Sequence, residues 1–218
     1  MRRASIRVHL YLSSFELGNR AQELAALVTI KRVAVVVNAF DHTDPRFRRR
    51  VAQEQVSAFT ALGFEVHELD LRHYFGSQSG LAERLEGVGL VWVTGGNVFL
   101  LRRAMRQSRL DEYLVTHKTN PSLVYGGFSA GACVAAPTLR GYETVDTLDA
   151  MADGYNSDLI WEGLGLIPYS IAPHFQSDHP ESAQVDTMVE YFTTHQVPFV
   201  PLKDGDVIIT TAGDGRTR

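Results

Sequence analysis

The chain has 218 residues, of which 44% are hydrophobic and 21% charged, with a formal net charge of -4. This length suits one sizeable α/β core, and we expect a single domain over 1–218. The slightly acidic balance does not favour nucleic acid or an anionic membrane as a partner. The single cysteine, Cys133, excludes an intrachain disulfide and a metal site made of several cysteines.

The apolar run at 8–12 is too short for a secretory signal, and no run approaches the length of a membrane span. Together with the low cysteine content, this predicts a cytoplasmic protein.

Strands and helices are predicted to alternate through the first half of the chain. The predicted strands are 5–12, 33–37, 64–69 and 89–93, and the predicted helices are 20–28, 46–62, 81–85, 98–107 and 110–117. The valine-rich run at 33–37 is typical of a parallel strand buried on both faces. Asp44 as a cap and Pro45 as an opening residue predict where the helix over 46–62 begins.

The second half is less regular but keeps the alternation. It contains predicted strands at 123–125, 166–172 (interrupted by Pro168), 199–202 and 206–211, a predicted helix at 180–195, and a glycine-interrupted loop region at 138–165. Such alternation predicts an α/β fold, a doubly wound and mainly parallel sheet flanked by helices, with ligands at the carboxyl ends of the strands. After the last predicted strand we expect a final hairpin strand to be missing, because the chain stops at 213–218.

The fold is expected to be organised around residues 127–131, where Ser129 has a glycine two positions before it and another two after it. This is the G-x-S-x-G spacing of a nucleophile elbow, a tight strand-to-helix turn that exposes the serine. Glycines remove side chains that would clash at a strained turn. The helix that follows directs free N–H groups to the space beside the hydroxyl. The alternative is a glycine-rich turn that only packs closely.

A serine hydroxyl needs a neighbouring base to become a nucleophile near neutral pH. Of the eight histidines, His174 and His179 follow a predicted strand end, at the edge where Ser129 also emerges. We favour His174 as the base because it lies nearer to the strand, with His179 as the alternative.

The base in turn needs a group that orients it. Asp204, in a Lys-Asp-Gly turn at the end of the next predicted strand, is the candidate. Asp178 and Asp206 compete for this role, and an ordinary turn aspartate is the alternative interpretation of Asp204.

An oxyanion hole needs N–H donors from two directions. One candidate is the N–H of Ala130, the residue after the serine. The glycine-rich turn at 95–97 is the candidate for the other, since glycine lets backbone approach closely. The alternative role of this turn is helix capping, with Asn97 as the cap.

Three motifs together resemble the serine peptidase family of aspartyl dipeptidase (dipeptidase E) and cyanophycinase. They are G-G-N-V-F at 95–99, G-F-S-A-G-A at 127–132 and P-H-F at 173–175. The resemblance runs from about residue 33 to residue 209 and implies a class I glutamine amidotransferase-like fold.

The resemblance also implies residue roles. Ser129 corresponds to the nucleophile and His174 to the base, while Gly96 and Ala130 correspond to the oxyanion donors. Asp204 stands where dipeptidase E has a glutamate. The segment 176–182 differs from dipeptidase E and resembles an uncharacterised branch of the family.

The resemblance implies a hydrolase of short peptides, with an N-terminal aspartate as the candidate preference, acting without a metal or cofactor, as a monomer or homodimer. An acidic substrate residue would need a cation, for which Arg140 is a candidate, with an ordinary surface arginine as the favoured alternative interpretation. The full set of candidate substrate-binding residues is Asn97, Arg140, Asp178 and His179.

Two other functions are weighed against the hydrolase. A glutamine amidotransferase would carry cysteine at the elbow, whereas Cys133 lies one helical turn beyond it. A non-catalytic binding or assembly protein could keep the same fold.

Overall fold

The structure is a computed structural model that describes residues 9–76 and 80–211. The strands in this part of the chain are β1 His9–Ser13, β2 Arg32–Val36, β3 Glu65–Glu68, β4 Leu90–Val93, β5 Val124–Phe128, β6 Ser170–Ala172, β7 Phe199–Pro201 and β8 Val207–Thr210. The α-helices there are α1 Ala21–Leu27, α2 Pro45–Ala61, α3 Leu81–Arg84, α4 Val98–Ser108, α5 Leu110–Thr116, α6 Ala130–Cys133 and α7 Ser182–Thr194. Short 3₁₀ turns lie at Asn38–Phe40, Leu71–Tyr74 and Tyr142–Thr144.

The main sheet confirms the predicted α/β class. Six strands pair in the order β3-β2-β4-β5-β1-β8. The first five run parallel, and β8 runs antiparallel to β1 at the edge. None of the helices in 9–76 and 80–211 is both long and apolar enough to cross a membrane.

Each face of the main sheet is covered by its own apolar core. One core packs α4, α6 and α7 against one face, with Phe99, Met105 and Phe192 among its buried side chains. The other packs α1 and α2 against the opposite face around Phe59 and Trp92. Two covered faces explain why the central strands are continuous apolar runs rather than alternating ones.

The longest helix, α2, begins where the sequence predicts, because Asp44 caps it. The Asp44 side chain accepts a hydrogen bond from the N–H of Arg46 at 2.7 Å, and Pro45 is the first helical residue. This arrangement satisfies an otherwise unpaired donor at the helix start.

The strand predicted at 166–172 is shorter in the structure and belongs to a different sheet. Only Ser170–Ala172 is extended, and it pairs in parallel with β7 in a separate two-stranded sheet. The N–H groups of Leu166 and Ile167 donate instead to the carbonyl of Ala135. Pro168 has no N–H to continue a ladder, so the strand begins only after it.

The start of the last helix differs from the prediction, and two predictions concern residues that the structure does not describe. The last helix begins at Ser182 rather than at Pro180, because the N–H of Ser182 closes a turn on the carbonyl of His179 at 3.0 Å. The expected missing hairpin strand concerns residues 212–218, which lie outside the described residues, as does the start of the first predicted strand.

The irregular stretch predicted at 138–165 contains one 3₁₀ turn, and two buried arginines of α4 hold it in place. Arg103 donates hydrogen bonds to the carbonyls of Leu148, Ala150 and Asp158. Arg102 donates to the carbonyl of residue 162. Buried carbonyls of a loop need such partners, so α4 organises the loop that borders the elbow.

Strand register brings the sequence motifs together. Ser13 pairs with Phe128, and Val93 pairs with Gly127. The carboxyl ends of β1, β4 and β5 are therefore side by side at one edge of the sheet, where ligands bind in open α/β sheets.

Candidate active site

Ser129 occupies a strained turn between β5 and α6. Its backbone has φ +47° and ψ −117°, a conformation that costs a non-glycine residue roughly 1–3 kcal/mol. The Ser129 N–H donates to the carbonyls of Ser13 and Ser14, both at 3.2 Å, and its carbonyl accepts from the N–H groups of Ala132 and Cys133. The turn has the backbone geometry expected of a nucleophile elbow.

The two glycines of the elbow allow close packing on β4. A Cβ at Gly127 would lie 2.7 Å from the carbonyl oxygen of Val93, and a Cβ at Gly131 would lie 2.2 Å from the same oxygen. Neither position has room for a side chain. The elbow is therefore seated directly on the end of the neighbouring strand.

The glycine turn after β4 lies against the elbow. A Cβ at Gly95 would be 3.1 Å from the Cβ of Ser129, and Gly96 has φ +115° and a position where an added Cβ would lie 2.8 Å from the carbonyl oxygen of Ala39. Gly96, Ser129 and Ala130 all line one small cavity. The structure thus brings both candidate oxyanion donors to the wall of the cavity that contains the serine.

His174 is fully buried and paired with Asp204. Its Nδ1 lies 2.7 Å from Oδ1 of Asp204, and the residue is 1% exposed. A carboxylate at Nδ1 selects the tautomer in which Nε2 is free to accept a proton. Burial lowers the pKa of His174, although the hydrogen bond to Asp204 opposes this shift. The imidazole is thereby kept neutral at pH 7, as a general base requires.

His174 and Ser129 line the same cavity. Among the described residues, no hydrogen bond joins the Ser129 hydroxyl to the imidazole. Such contacts are often long in hydrolases without substrate and tighten when substrate binds.

Ser14 is a buried residue of the site that the sequence analysis missed. Its Oγ accepts a hydrogen bond from the N–H of His174 at 2.8 Å and donates to Oδ1 of Asp204 at 2.8 Å. The available signal was its position directly after β1, at the same sheet edge as Ser129. A serine in a predicted loop gives no indication of its partners, which lie 160 and 190 residues away.

His179 stacks on the candidate base. The two imidazole rings are 3.6 Å apart at their centroids and 7° from parallel. Phe15 packs edge-on against both, with centroid distances of 5.9 Å to His174 and 5.6 Å to His179. The base is therefore covered by aromatic rings.

Two carboxylates also line the cavity, those of Asp146 and Glu181. Oδ2 of Asp146 accepts a hydrogen bond from the N–H of Val98, at the start of α4. Burial raises the pKa of Asp146 to about 7 against the effect of that bond. The cavity is narrow, with about 20 Å³ of open volume, which is room for about one water molecule.

Three of these side chains carry metal-ligating atoms within 4.8 Å of one another, namely His174, His179 and Glu181. The face-to-face stacking of the imidazoles sets their in-plane lone pairs side by side rather than towards a common point. A tetrahedral ion needs lone pairs that converge on it. The rings would have to part before they could share one.

The remaining candidates have other environments. Asn97 caps α4, accepting from the N–H of Leu100 at 2.9 Å, and donates to the carbonyl of Thr147. Arg140 is exposed and stacks 4.6 Å from the ring of Trp161. Asp178 is also exposed. The cavity lining includes none of these three candidates.

Cys133 lines the cavity but is buried. Burial raises the pKa of its thiol far above the ordinary value, so the reactive thiolate is not formed at neutral pH. The cysteine chemistry of a glutamine amidotransferase has no support here.

A strained serine elbow on a parallel sheet, beside a buried histidine paired with an aspartate, is an arrangement that recurs in α/β serine hydrolases. The model of peptidase family S51 matches residues 22–217. The chain belongs to this family.

Individual relatives agree with the family match. The chain is 32% identical over 127 residues to a Peptidase E of Streptomyces coelicolor. The aligned stretch covers 56% of this chain and 49% of that protein. It is 28% identical over 120 residues to a Probable alpha-aspartyl dipeptidase of Drosophila melanogaster, covering 53% and 47%. The matched part thus spans about half the length of these relatives.

A similar solved structure is that of a Listeria monocytogenes protein assigned as a peptidase E. It superposes with a TM-score of 0.75 at 21% identity, over 97% of this chain and 98% of that one. At that identity the likeness shows the fold alone.

Proposed function

We propose that this protein is a serine peptidase that hydrolyses short peptides through Ser129, His174 and Asp204. Ser129 attacks the carbonyl carbon of the scissile amide while Nε2 of His174 takes the hydroxyl proton. His174 then passes this proton to the leaving amine, and water hydrolyses the acyl-enzyme by the same route in reverse. Asp204 holds the imidazole in the required tautomer throughout.

The oxyanion of each tetrahedral intermediate would be bound by the N–H groups of Gly96 and Ala130. Their support is the close approach of the glycine turn to Ser129 and their shared place in the cavity wall. Loss of one such donor typically costs about 3 kcal/mol of transition-state stabilisation.

The observation that carries the proposal is the contact between the buried His174 and the carboxylate of Asp204. A 2.7 Å hydrogen bond and a depressed imidazole pKa equip His174 as a base at neutral pH, within the cavity that contains the strained Ser129. A histidine with only a structural role would not need to share a cavity with an elbow serine.

The name of one relative, Probable alpha-aspartyl dipeptidase, makes short peptides with an N-terminal aspartate the first substrates to test. The cavity lining offers such a residue no cation. Asp146 and Glu181 line it, and no lysine or arginine of the described residues does. Arg140 lies outside it, over Trp161. We therefore propose that dipeptides with a neutral first residue are hydrolysed at least as fast as Asp-X dipeptides.

A dipeptide screen tests the function and the preference together. Asp-X and neutral X-Y dipeptides are incubated with the wild type, Ser129→Ala, His174→Ala and a control, Ser57→Ala, whose serine is exposed on α2. Turnover by the wild type and the control, but not by the two site variants, supports the peptidase. Turnover that survives Ser129→Ala would refute it, and a clear excess for Asp-X would refute the stated preference.

A further inference from the structure

One buried hydroxyl connects the base to its orienting acid. The Oγ of Ser14 lies 2.8 Å from the backbone nitrogen of His174 and 2.8 Å from Oδ1 of Asp204. Ser14 is 0% exposed. Bulk water therefore does not reach this hydroxyl in the folded protein.

The hydrogen-bonding capacity of a serine fixes the direction of these bonds. The N–H of His174 can only donate, so the hydroxyl accepts from it. The single hydroxyl proton then has two acceptors in reach, the Asp204 carboxylate at 2.8 Å and the carbonyl of Leu202 at 3.2 Å. The carboxylate is nearer and charged, so it receives the proton.

The same oxygen of Asp204 serves both partners. Oδ1 accepts from the Ser14 hydroxyl and also lies 2.7 Å from Nδ1 of His174. A carboxylate that is 24% exposed on its side chain is otherwise free to turn about its last torsion. Fixing Oδ1 from a second direction fixes the line along which the imidazole must point.

The main chain of His174 also needs an anchor. Its φ is +58°, a left-handed conformation that a non-glycine residue keeps only when its surroundings impose it. The hydrogen bond to Ser14 is one restraint, and the bond from the N–H of Phe175 to the carbonyl of Leu202 at 2.9 Å is another.

We infer that Ser14 is a positioning residue for the hydrolysis. Its buried hydroxyl fixes the position of the His174 backbone relative to the carboxylate of Asp204. This inference rests on the proposed function. Ser14 touches no reacting atom; it acts through His174 and Asp204. It also belongs to the segment whose carbonyls receive the Ser129 N–H, so one strand end contacts all three residues of the proposed triad.

The neighbouring serine provides a matched control. Ser13 is also 0% exposed, but its hydroxyl donates to the carbonyl of Phe15 at 3.1 Å. Alanine at either position removes one buried hydroxyl and keeps the backbone carbonyl. Only the change at position 14 removes a contact with the His174–Asp204 pair.

The test compares Ser14→Ala, Ser13→Ala and Ser14→Thr with the wild type in dipeptide turnover. Displacement of catalytic groups by about an ångström can cost roughly 100-fold in rate. We expect kcat of Ser14→Ala to fall at least about tenfold below that of Ser13→Ala, with a smaller change in KM. Ser14→Thr, which keeps a hydroxyl, should recover most of the loss. Equal kcat in the two alanine variants would overturn the inference.

A proton NMR measurement separates this inference from the proposed function, because it needs no substrate. The Nδ1 proton of a histidine bound to a carboxylate resonates far downfield. We expect this signal in the wild type and in Ser13→Ala, and its loss or broadening in Ser14→Ala. Should the alanine variant fail to fold, Ser14→Cys, with a weak donor of similar size, replaces it in both measurements. An unaltered signal in the folded variant refutes the positioning role, whereas failure of the peptidase proposal appears as turnover that survives Ser129→Ala.

Discussion

The imidazole of His179 lies face to face with that of His174, with 3.6 Å between the ring centroids. Burial lowers the pKa of His174, the hydrogen bond to Asp204 opposes this shift, and the electrostatic effect of the neighbouring His179 adds to it. Two stacked imidazolium ions repel, so a proton on one ring opposes a proton on the other. The neighbour thus helps to keep the base neutral.

Replacement of the stacked ring tests this electrostatic effect. His179→Phe keeps an aromatic face on His174 but removes the ionisable imidazole and its electrostatic effect, so the pKa of His174 should rise. The acid limb of the kcat/KM profile should then move to higher pH, because less of the base is neutral at a given pH. His195→Phe, at the exposed end of α7, is the control. A limb that stays in place or moves to lower pH would contradict this role.

Asp204→Asn should remove most of the activity. An amide can donate to Nδ1 and so favour the wrong tautomer of His174, a change that costs about 10⁴-fold in kcat where it has been measured in a Ser-His-Asp triad. The matched control is Asp206→Asn in the same turn, where the side chain accepts from the N–H of Lys203. Steady-state kinetics of both variants test whether the effect is specific to Asp204. Similar losses of kcat in the two variants would mean that the turn as a whole matters rather than the carboxylate of Asp204.

Gly131→Ala should destabilise the protein through the elbow. Its Cβ would lie 2.2 Å from the carbonyl oxygen of Val93, and overpacking of this kind costs about 1–3 kcal/mol, here at the upper end. Gly63→Ala is the comparison, because its Cβ meets nothing within 4 Å and only its φ of +83° is unfavourable, which costs roughly 1–2 kcal/mol. Urea unfolding of both variants measures the difference. A smaller loss at 131 than at 63 would mean that the elbow is not rigidly seated on β4.

Asp146 should make stability depend on pH. The folded-state pKa of about 7 lies above the ordinary value of 3.8, so between these values the folded state holds more protons than the unfolded state. Stability therefore falls as pH rises through this interval. Asp146→Asn lacks the titration, and its Tm relative to the wild type should increase from about pH 4 to about pH 7. The exposed Asp149, changed to asparagine, should show no such trend, and the account fails if Asp146→Asn shows none either.

Local chemistry made much of the fold predictable. The cap of α2 depends on Asp44 and Pro45, which are adjacent in sequence, and the elbow depends on glycines within two residues of Ser129. Valine runs marked the strands because both faces of the sheet are covered. Features of this kind are fixed by neighbours in the chain.

Contacts between distant residues were not predictable in the same way. Ser14 has no pattern around it that points to His174, 160 residues away. The N–H groups of residues 166 and 167 donate to the carbonyl of Ala135, and β6 pairs with β7 in a separate sheet, neither of which the apolar run at 166–172 reveals. Arg140 suited an acidic substrate by its charge, but its stacking on Trp161 follows from packing that composition does not encode.

The most direct test of the central claim is to find where a fluorophosphonate attaches. After reaction with the wild type, peptide mass spectrometry should place a single adduct on Ser129, and His174→Ala should form it far more slowly because the base that activates the hydroxyl is gone. An adduct on another serine, or equal labelling of the wild type and His174→Ala, would contradict the account.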